Sequence, residues 1–436
     1  MAGFGSTISQ PHVAIIPSSG LGHFIPFLRF AALLLRNGCK LTLIITNPVV
    51  STAESELISR FLSVFPQVTE KKFTPLPLNR STVNSTDPFA LQWETFRKSA
   101  HLFTPILSSL SPPLSFVISD VTLVSPLIPI TQSLRLPNYV LFISSARMLT
   151  LLAYFSSVSE SKSKTEDGSF LFGNVFDIPA DIDPPIPSSS LPPPLLNSNT
   201  LFAKIFMEDG PNLMKLNGLL LNTFEELEKQ SLEMLTCANI KGKPLPPIFS
   251  VGPLLPHEFE GKESFETLKW LDDQKEKSVV FVGFGSRTAS SNDQIRELGK
   301  RLLLSGCKFL WVVKTKIVDK EDNEGFEEIL GDDLFDKIKR SQNGLVVKWP
   351  QFGDQRINGE VIEKSEWVIC MKSWGWVDNV LVKGEEIGEK IKELIGSQSL
   401  KMAAKRVSEE ARKAVGAGGS CEVAMEKLLQ SWKKKE

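Results

Sequence analysis

The chain has 436 residues, 42% hydrophobic and 23% charged, and its 49 basic and 50 acidic side chains leave a formal charge of −1. That length exceeds one ordinary domain and suits two of roughly 200 residues each. A near-neutral chain offers no electrostatic hold to a nucleic-acid backbone or an anionic membrane, so neither is expected as a partner.

In chain order, Met1–Gln10 lacks the basic and apolar regions of a secretory signal. Val13–Pro17 reads as a short buried strand, followed by Ser18-Ser19-Gly20-Leu21-Gly22 and a helical pattern from His23 to Arg36. Asn37-Gly38 closes that helix, and Lys40–Thr46 is the next strand. Strand, helix and strand at this spacing make a βαβ unit with parallel strands and a right-handed crossover.

Further buried strands are expected at Phe116–Ser119, Tyr139–Ile143 and Gly218–Leu221, with Thr223 and Glu226 as a capping box for the helix that follows. Pro126 and Pro129 break the apolar run Val121–Ile130, so no membrane span is expected. Asp177–Asn197 is rich in proline and serine and reads as a surface loop that shapes a cleft.

The pattern restarts after the proline-rich stretch Lys241–Pro256. Val279–Gly283 is a strand, Ser291–Leu304 a helix, Lys308–Val313 and Gly344–Lys348 strands, and Gly384–Ile395 and Leu400–Val415 helices. The chain therefore reads as α/β, with two doubly wound Rossmann-like domains facing one another across a ligand cleft. The expected boundaries are 1–243, a linker over 244–262, a second domain over 263–418 and a C-terminal helix over 419–436. Cysteines 39, 237, 307, 370 and 421 are odd in number, widely spaced and without a paired-ligand pattern. They read as buried thiols in the cytoplasm and give no sign of a metal site. No oligomer interface is evident, and a monomer is expected.

Gly20-Leu21-Gly22-His23 starts like a dinucleotide fingerprint, but Ile25 stands where the third glycine belongs and no acidic residue closes Lys40–Thr46. A nicotinamide oxidoreductase is thereby disfavoured. His23 is placed where the glycine turn enters the helix, a position that disfavours the charged imidazole and suits a proton acceptor. A helix-start histidine without chemistry is the commoner case. Asp120, at a strand end in the same domain, is the carboxylate that would orient such a base, although alone it reads as a turn cap. Gly283-Phe284-Gly285-Ser286-Arg287 offers backbone N–H groups, a hydroxyl and a guanidinium suited to a diphosphate, or else is a tight turn with a solvated arginine.

Together these pieces resemble the plant UDP-sugar-dependent glycosyltransferases of family 1, which have the GT-B fold. The marks are Gly22-His23, Asn222-Thr223-Phe224 with Leu227-Glu228, Val251-Gly252-Pro253-Leu254, Trp270-Leu271-Asp272, Phe284-Gly285-Ser286, Phe309-Leu310-Trp311-Val312-Val313 and Pro350-Gln351-Phe352-Gly353-Asp354-Gln355. Phe284–Ala289, Trp374-Gly375-Trp376-Val377 and the proline-rich Asp183–Leu195 are similar to the flavonoid C-glucosyltransferase branch.

The resemblance implies inverting transfer of glucose from UDP-glucose, a substrate rather than a cofactor, to a flavonoid-type phenol at carbon or oxygen. It makes His23 the base and Asp120 its orienting partner. Gly22 lies against the substrates, Ser286 and Arg287 face the diphosphate, Asp354 and Gln355 hold sugar hydroxyls, and Asp87 is an acceptor-side contact.

One departure matters. The family's nucleotide-binding block runs through a histidine and a His-Cys-Gly-Trp-Asn-Ser motif, whereas here Val346-Val347-Lys348 passes straight into Trp349-Pro350. The four histidines are 12, 23, 101 and 257, none of them in that region. About forty residues, two helix–strand units of a doubly wound domain, are expected to be absent between Lys348 and Trp349. Weak or no activity follows; the alternative is a non-catalytic remnant that still binds small molecules.

Overall fold

A computed structural model describes residues 10–79, 88–178, 185–240, 242–260, 265–275, 278–283, 291–313, 325–341, 343–347, 355–369, 371, 374 and 381–433. The chain divides into two compact units, Met1–Glu260 with Ala411–Glu436, and Gly261–Glu410.

The first unit is built on a seven-stranded sheet. Its strands are β1 (His12–Ile16), β2 (Lys40–Thr46), β3 (Thr69–Phe73), β4 (Phe116–Asp120), β5 (Asn138–Phe142), Gly218–Leu221 and Ile248–Ser250. All pairings are parallel, and the spatial order is Ile248–Ser250, Gly218–Leu221, β5, β4, β1, β2, β3. The sequences HVAII, FVISD and NYVLF are buried throughout, as expected for strands covered on both faces. Alternation divides them. Val13, Ile15, Phe116 and Ile118 pack with Phe24, Phe27 and Leu28 of helix α1 (Leu21–Arg36), while Ala14, Ile16 and Val117 pack with Phe96, Phe103 and Leu127 on the opposite face. By the same period of two, Asp120 falls on the α1 face.

Six more helices matter to the site or its support: α2 (Thr52–Val64), α3 (Pro88–Lys98), α4 (Phe103–Ser108), α5 (Val124–Ser133), α6 (Ala146–Glu160) and α7 (Leu201–Asn212). Two sequence expectations change here. Ile248–Ser250, inside the stretch read as a linker, is the outermost strand of the first sheet, because its three residues complete the ladder beside Leu219–Leu221. Gly252 follows at a close approach, where a Cβ would meet Asn222 at 2.6 Å. Thr223 does not cap a helix. Its hydroxyl has no hydrogen-bond partner, its carbonyl accepts the Gly252 N–H at 3.0 Å, and the helix starts two residues later at Glu225.

The C-terminal helix Ser420–Lys433 also belongs to this unit. Met425, Leu428 and Trp432 join the α1-side core, with Trp432 stacked on Phe116 at 4.4 Å between ring centroids and edge-on to Tyr139. A fully buried indole is one of the largest apolar contributions a single side chain makes, so the chain end is a structural member of the first sheet's packing.

The second unit has a parallel three-stranded sheet among the described residues, in the order Val279–Val282, Lys308–Val312, Gly344–Val347. Helix Asn292–Ser305 begins where the Ser291 hydroxyl accepts the Gln294 N–H and ends at Gly306, whose φ of 69° is open to glycine. Its Ile295, Leu298 and Leu302 cover Phe309 and Trp311 of the central strand. Gly344–Val347 is paired on one side only among the described residues. The four described cysteines are free thiols; Cys39 and Cys421 are buried as expected, but Cys237, the last residue of its helix, is exposed. No described helix is long and apolar enough to cross a membrane.

Candidate active site

Strand order sets the place. Proceeding along the sheet, β1 leads outward to β2 in one direction and to β4 in the other, so β1 and β4 flank the point where the order reverses. Doubly wound sheets bind ligands at that point, beyond the carboxyl ends of the strands. The chain leaves β1 through Ser18-Ser19-Gly20 and enters α1 at Leu21. Gly20 has φ 101°, a conformation that a side chain rarely adopts, and its carbonyl accepts the N–H groups of His23 and Phe24 at 2.9 Å. That turn points His23 toward the end of β4.

There Asp120 is fully buried. His23 Nδ1 lies 2.8 Å from Asp120 Oδ2, and the other carboxylate oxygen accepts the Thr122 N–H at 3.0 Å. Burial alone would raise the Asp120 pKa, but the charge and hydrogen bond of His23, with the Thr122 contact, outweigh it and hold the carboxyl below its usual range. An ionised carboxylate accepts only, so Nδ1 carries the imidazole proton and the lone pair of the neutral ring is on Nε2; this tautomer is assigned from the hydrogen-bond network. The His23 side chain is 13% exposed, which leaves the ring within reach of a ligand.

The contrast with His12 is instructive. That ring is buried inside β1, 2.6 Å from the Pro112 carbonyl and 2.8 Å from the Thr42 hydroxyl, and burial lowers its pKa. Both nitrogens are occupied by fixed structure, so His12 holds strands and loop together.

The depressed Asp120 pKa has a consequence for stability. Its unfolded value is about 3.9, so the ionised form contributes stability above that pH, and the contribution is lost as pH falls through the lower folded value. Asp120→Asn should therefore lose less stability than the parent between about pH 5 and about pH 3, read as the shift in urea midpoint. An equal shift in both proteins would show that the carboxylate carries no such linkage.

Sequence reading missed several neighbours. Glu54, buried at the start of α2, accepts the Gly20 N–H at 2.9 Å and so fixes the turn that carries His23. Its only sequence signal is Ser51-x-x-Glu54, since the Ser51 hydroxyl caps α2 by accepting the Glu54 N–H. Trp93 of α3 stands edge-on to the His23 ring at 6.2 Å, and Phe202 of α7 lies 5.6 Å from Trp93. Nothing local in the sequence marks either ring, because α3 and α7 meet only through the fold.

Of the other sequence-predicted residues, Gly22 is in the first turn of α1 beside His23. Asp87, Ser286, Arg287 and Asp354 lie outside the described residues, and Gln355 is the first residue of the helix Gln355–Lys364. The structure thus brings together His23, Asp120 and Gly22. Among the described residues no group of three or more His, Cys, Asp or Glu is placed to hold a metal ion.

No protein-family model matches the chain. It is 48% identical over 475 aligned residues to UDP-glycosyltransferase 708G2 of Citrus unshiu, covering 99% of each chain. It is 36% identical to UDP-glycosyltransferase CGT of Oryza sativa subsp. japonica, covering 97% of this chain and 96% of that one. The crystal structure of LpCGTa in complex with UDP superposes with a TM-score of 0.80 at 36% identity, covering 97% of this chain and 99% of that one.

Proposed function

Because the chain belongs to the plant UDP-glycosyltransferases, enzymes of GT-B fold whose donor is a UDP-sugar and which require no cofactor, we propose that it descends from an inverting transferase that moves glucose from UDP-glucose to a flavonoid-type phenol, at carbon or oxygen. The observation that carries this reading is the 2.8 Å contact between His23 and a fully buried Asp120 at the sheet's reversal point. His23 Nε2 takes the phenolic proton, and Asp120 stabilises the imidazolium that forms. The phenolate oxygen, or the ring carbon beside it, attacks C1 of the sugar from the face opposite UDP. The C1–O bond to UDP breaks, UDP leaves with the bonding pair, and the anomeric configuration inverts. In carbon transfer the proton displaced from the ring carbon passes to solvent as aromaticity returns, and the phenolate so formed recovers a proton from the His23 imidazolium. Trp93 places a flat apolar ring beside the base, with Phe202 next to Trp93, which suits a planar aromatic acceptor. Free thiols at Cys39, Cys237, Cys307 and Cys421 fit a reducing compartment, the cytoplasm.

We further propose that most of the nucleotide-binding block is absent between Lys348 and Trp349, and that this chain has little or no turnover. Two observations support this. The alignment to the Citrus relative spans 475 positions against 436 residues here, so at least 39 positions (475 − 436) have no residue of this chain opposite them. The second unit's described sheet has three strands and stops at Gly344–Val347, just before the junction. Ser286, Arg287, Asp354 and Gln355 are the donor contacts that remain, and each hydrogen bond contributes only about 0.5–1.5 kcal/mol net. Asp87 is kept as an acceptor-side contact.

The same observations favour a second reading, a non-catalytic protein whose first unit still binds aromatic small molecules. Calorimetric titration of the purified chain separates the possibilities. A flavonoid phenol should bind saturably, and UDP-glucose should give no micromolar binding. Micromolar affinity for UDP-glucose would overturn the loss of the donor site, and failure of any flavonoid to bind would overturn the acceptor assignment. Bound flavonoid with no glucosylated product after prolonged incubation with UDP-glucose favours the remnant.

A further inference from the structure

Behind the dyad is a second buried charge cluster that the mechanism does not use. Arg97, on the same face of α3 as Trp93 and one turn further on, has a side chain only 5% exposed. Its guanidinium donates to Asp209 through both terminal nitrogens, at 2.8 and 3.1 Å, to Glu208 at 2.7 Å, and to the Thr122 carbonyl at 2.9 Å. Asp209, on α7, also accepts the N–H and hydroxyl of Ser125 at the start of α5. Burial pushes Asp209 up to about 6, against the pull of Arg97 and Ser125.

The geometry points to Arg97, clamped by Asp209, as a positioning residue for the His23–Asp120 pair. The link runs through Thr122. Its N–H caps the Asp120 carboxylate and its carbonyl is gripped by Arg97, so both peptide groups flanking one Cα are fixed. The same side chain anchors the helix whose Trp93 stands against the imidazole, and Asp209 lies two turns along α7 from Phe202, the ring beside that tryptophan. A bidentate fork is needed for this, since one ammonium cannot hold both oxygens of Asp209 and a carbonyl in fixed directions. Two carboxylates near the C-terminal end of α7 are opposed by the helix dipole, which makes Arg97 the group that permits them there. This inference rests on the reading of His23 and Asp120 as the catalytic pair.

The test reads the imidazole and needs neither donor nor turnover. In the full chain labelled with 15N-histidine, the His23 signals are assigned by their loss in His23→Gln, and the exchange rate of the Nδ1–H held by Asp120 is measured. Arg97→Lys keeps a counter-charge for Asp209 but not the fork. The Nδ1–H should then exchange about tenfold faster or be lost from the spectrum. Glu208→Gln, at a carboxylate 58% exposed, should leave it unchanged. A folded Arg97→Lys protein with the parent's Nδ1–H exchange would overturn the proposal. Should Arg97→Lys not fold, Asp209→Asn keeps the shape of the clamp without its charge and is read in the same way. If neither variant folds, Arg97 serves stability alone and the proposal fails. Loss of flavonoid binding with an intact Nδ1–H response would instead count against the acceptor reading only.

Discussion

On the proposal that the nucleotide-binding block is absent between Lys348 and Trp349, inserting the corresponding residues of the Citrus relative should raise affinity for UDP-glucose by about 10²–10⁴-fold. The magnitude follows from what the block would carry. An aromatic platform under a base contributes about 1–3 kcal/mol. A carboxylate on the ribose hydroxyls forms charge-assisted hydrogen bonds worth about 1.5–3 kcal/mol, and diphosphate donors add to it. Together these give roughly 3–6 kcal/mol, and each 1.4 kcal/mol is about tenfold. A chain that binds UDP-glucose only at about millimolar strength would then reach the micromolar range.

Insertion should also change the second unit, because Gly344–Val347 would gain a neighbour on the side where no described strand pairs with it. Less self-association and a steeper unfolding transition should accompany the gain in affinity. The comparison is made by calorimetry on both proteins side by side. Equal affinity before and after insertion would mean that donor binding never depended on the block, and the account of a lost site would be wrong.

How much of this could be read from sequence depends on whether the determinant is local. β1, the glycine turn and α1 are spelled out by a five-residue apolar run, Gly20-Leu21-Gly22 and a helical stripe of Phe24, Phe27, Leu28 and Ala31. The second unit's strands and the helix begun by Ser291 are legible for the same reason. The pairing of β1 with β4 is not written in either segment. It comes from the right-handed crossover that carries β2 and β3 to one side and from the burial of Val13, Ile15, Phe116 and Ile118 under one helix. Asp120 could be named as a partner for His23 because both follow strands, but the 2.8 Å contact needs the alternation along β4 as well.

Trp93, Arg97, Asp209 and Phe202 were illegible. Each belongs to an ordinary amphipathic helix, and only tertiary packing makes one of them an imidazole's neighbour. Ile248–Ser250 and Thr223 failed for a related reason. Proline on both sides of the first suggested a linker and a hydroxyl before two glutamates suggested a cap, while the sheet edge and the close passage of Gly252 claimed those backbone groups instead.

In the restored protein, His23→Ala should lower kcat by about 10²–10⁴-fold, the range a positioned general base contributes, with a much smaller change in KM for the phenol. Loss of kcat at nearly constant KM is expected because, on the proposed mechanism, Nε2 acts on the proton as the bond to sugar forms and contributes little to holding the ground state. Asp120→Asn should be nearly as damaging for a different reason. An amide presents either a donor or a neutral oxygen to Nδ1, so the imidazole can turn its proton onto Nε2, the nitrogen that must be the acceptor. The double variant is the sharper measurement. If the two residues act as one base, His23→Ala with Asp120→Asn should cost no more than His23→Ala alone, since a missing ring cannot be oriented. Multiplying losses would mean that Asp120 acts on the substrate by itself, and undiminished turnover in His23→Ala would remove the base from the mechanism altogether.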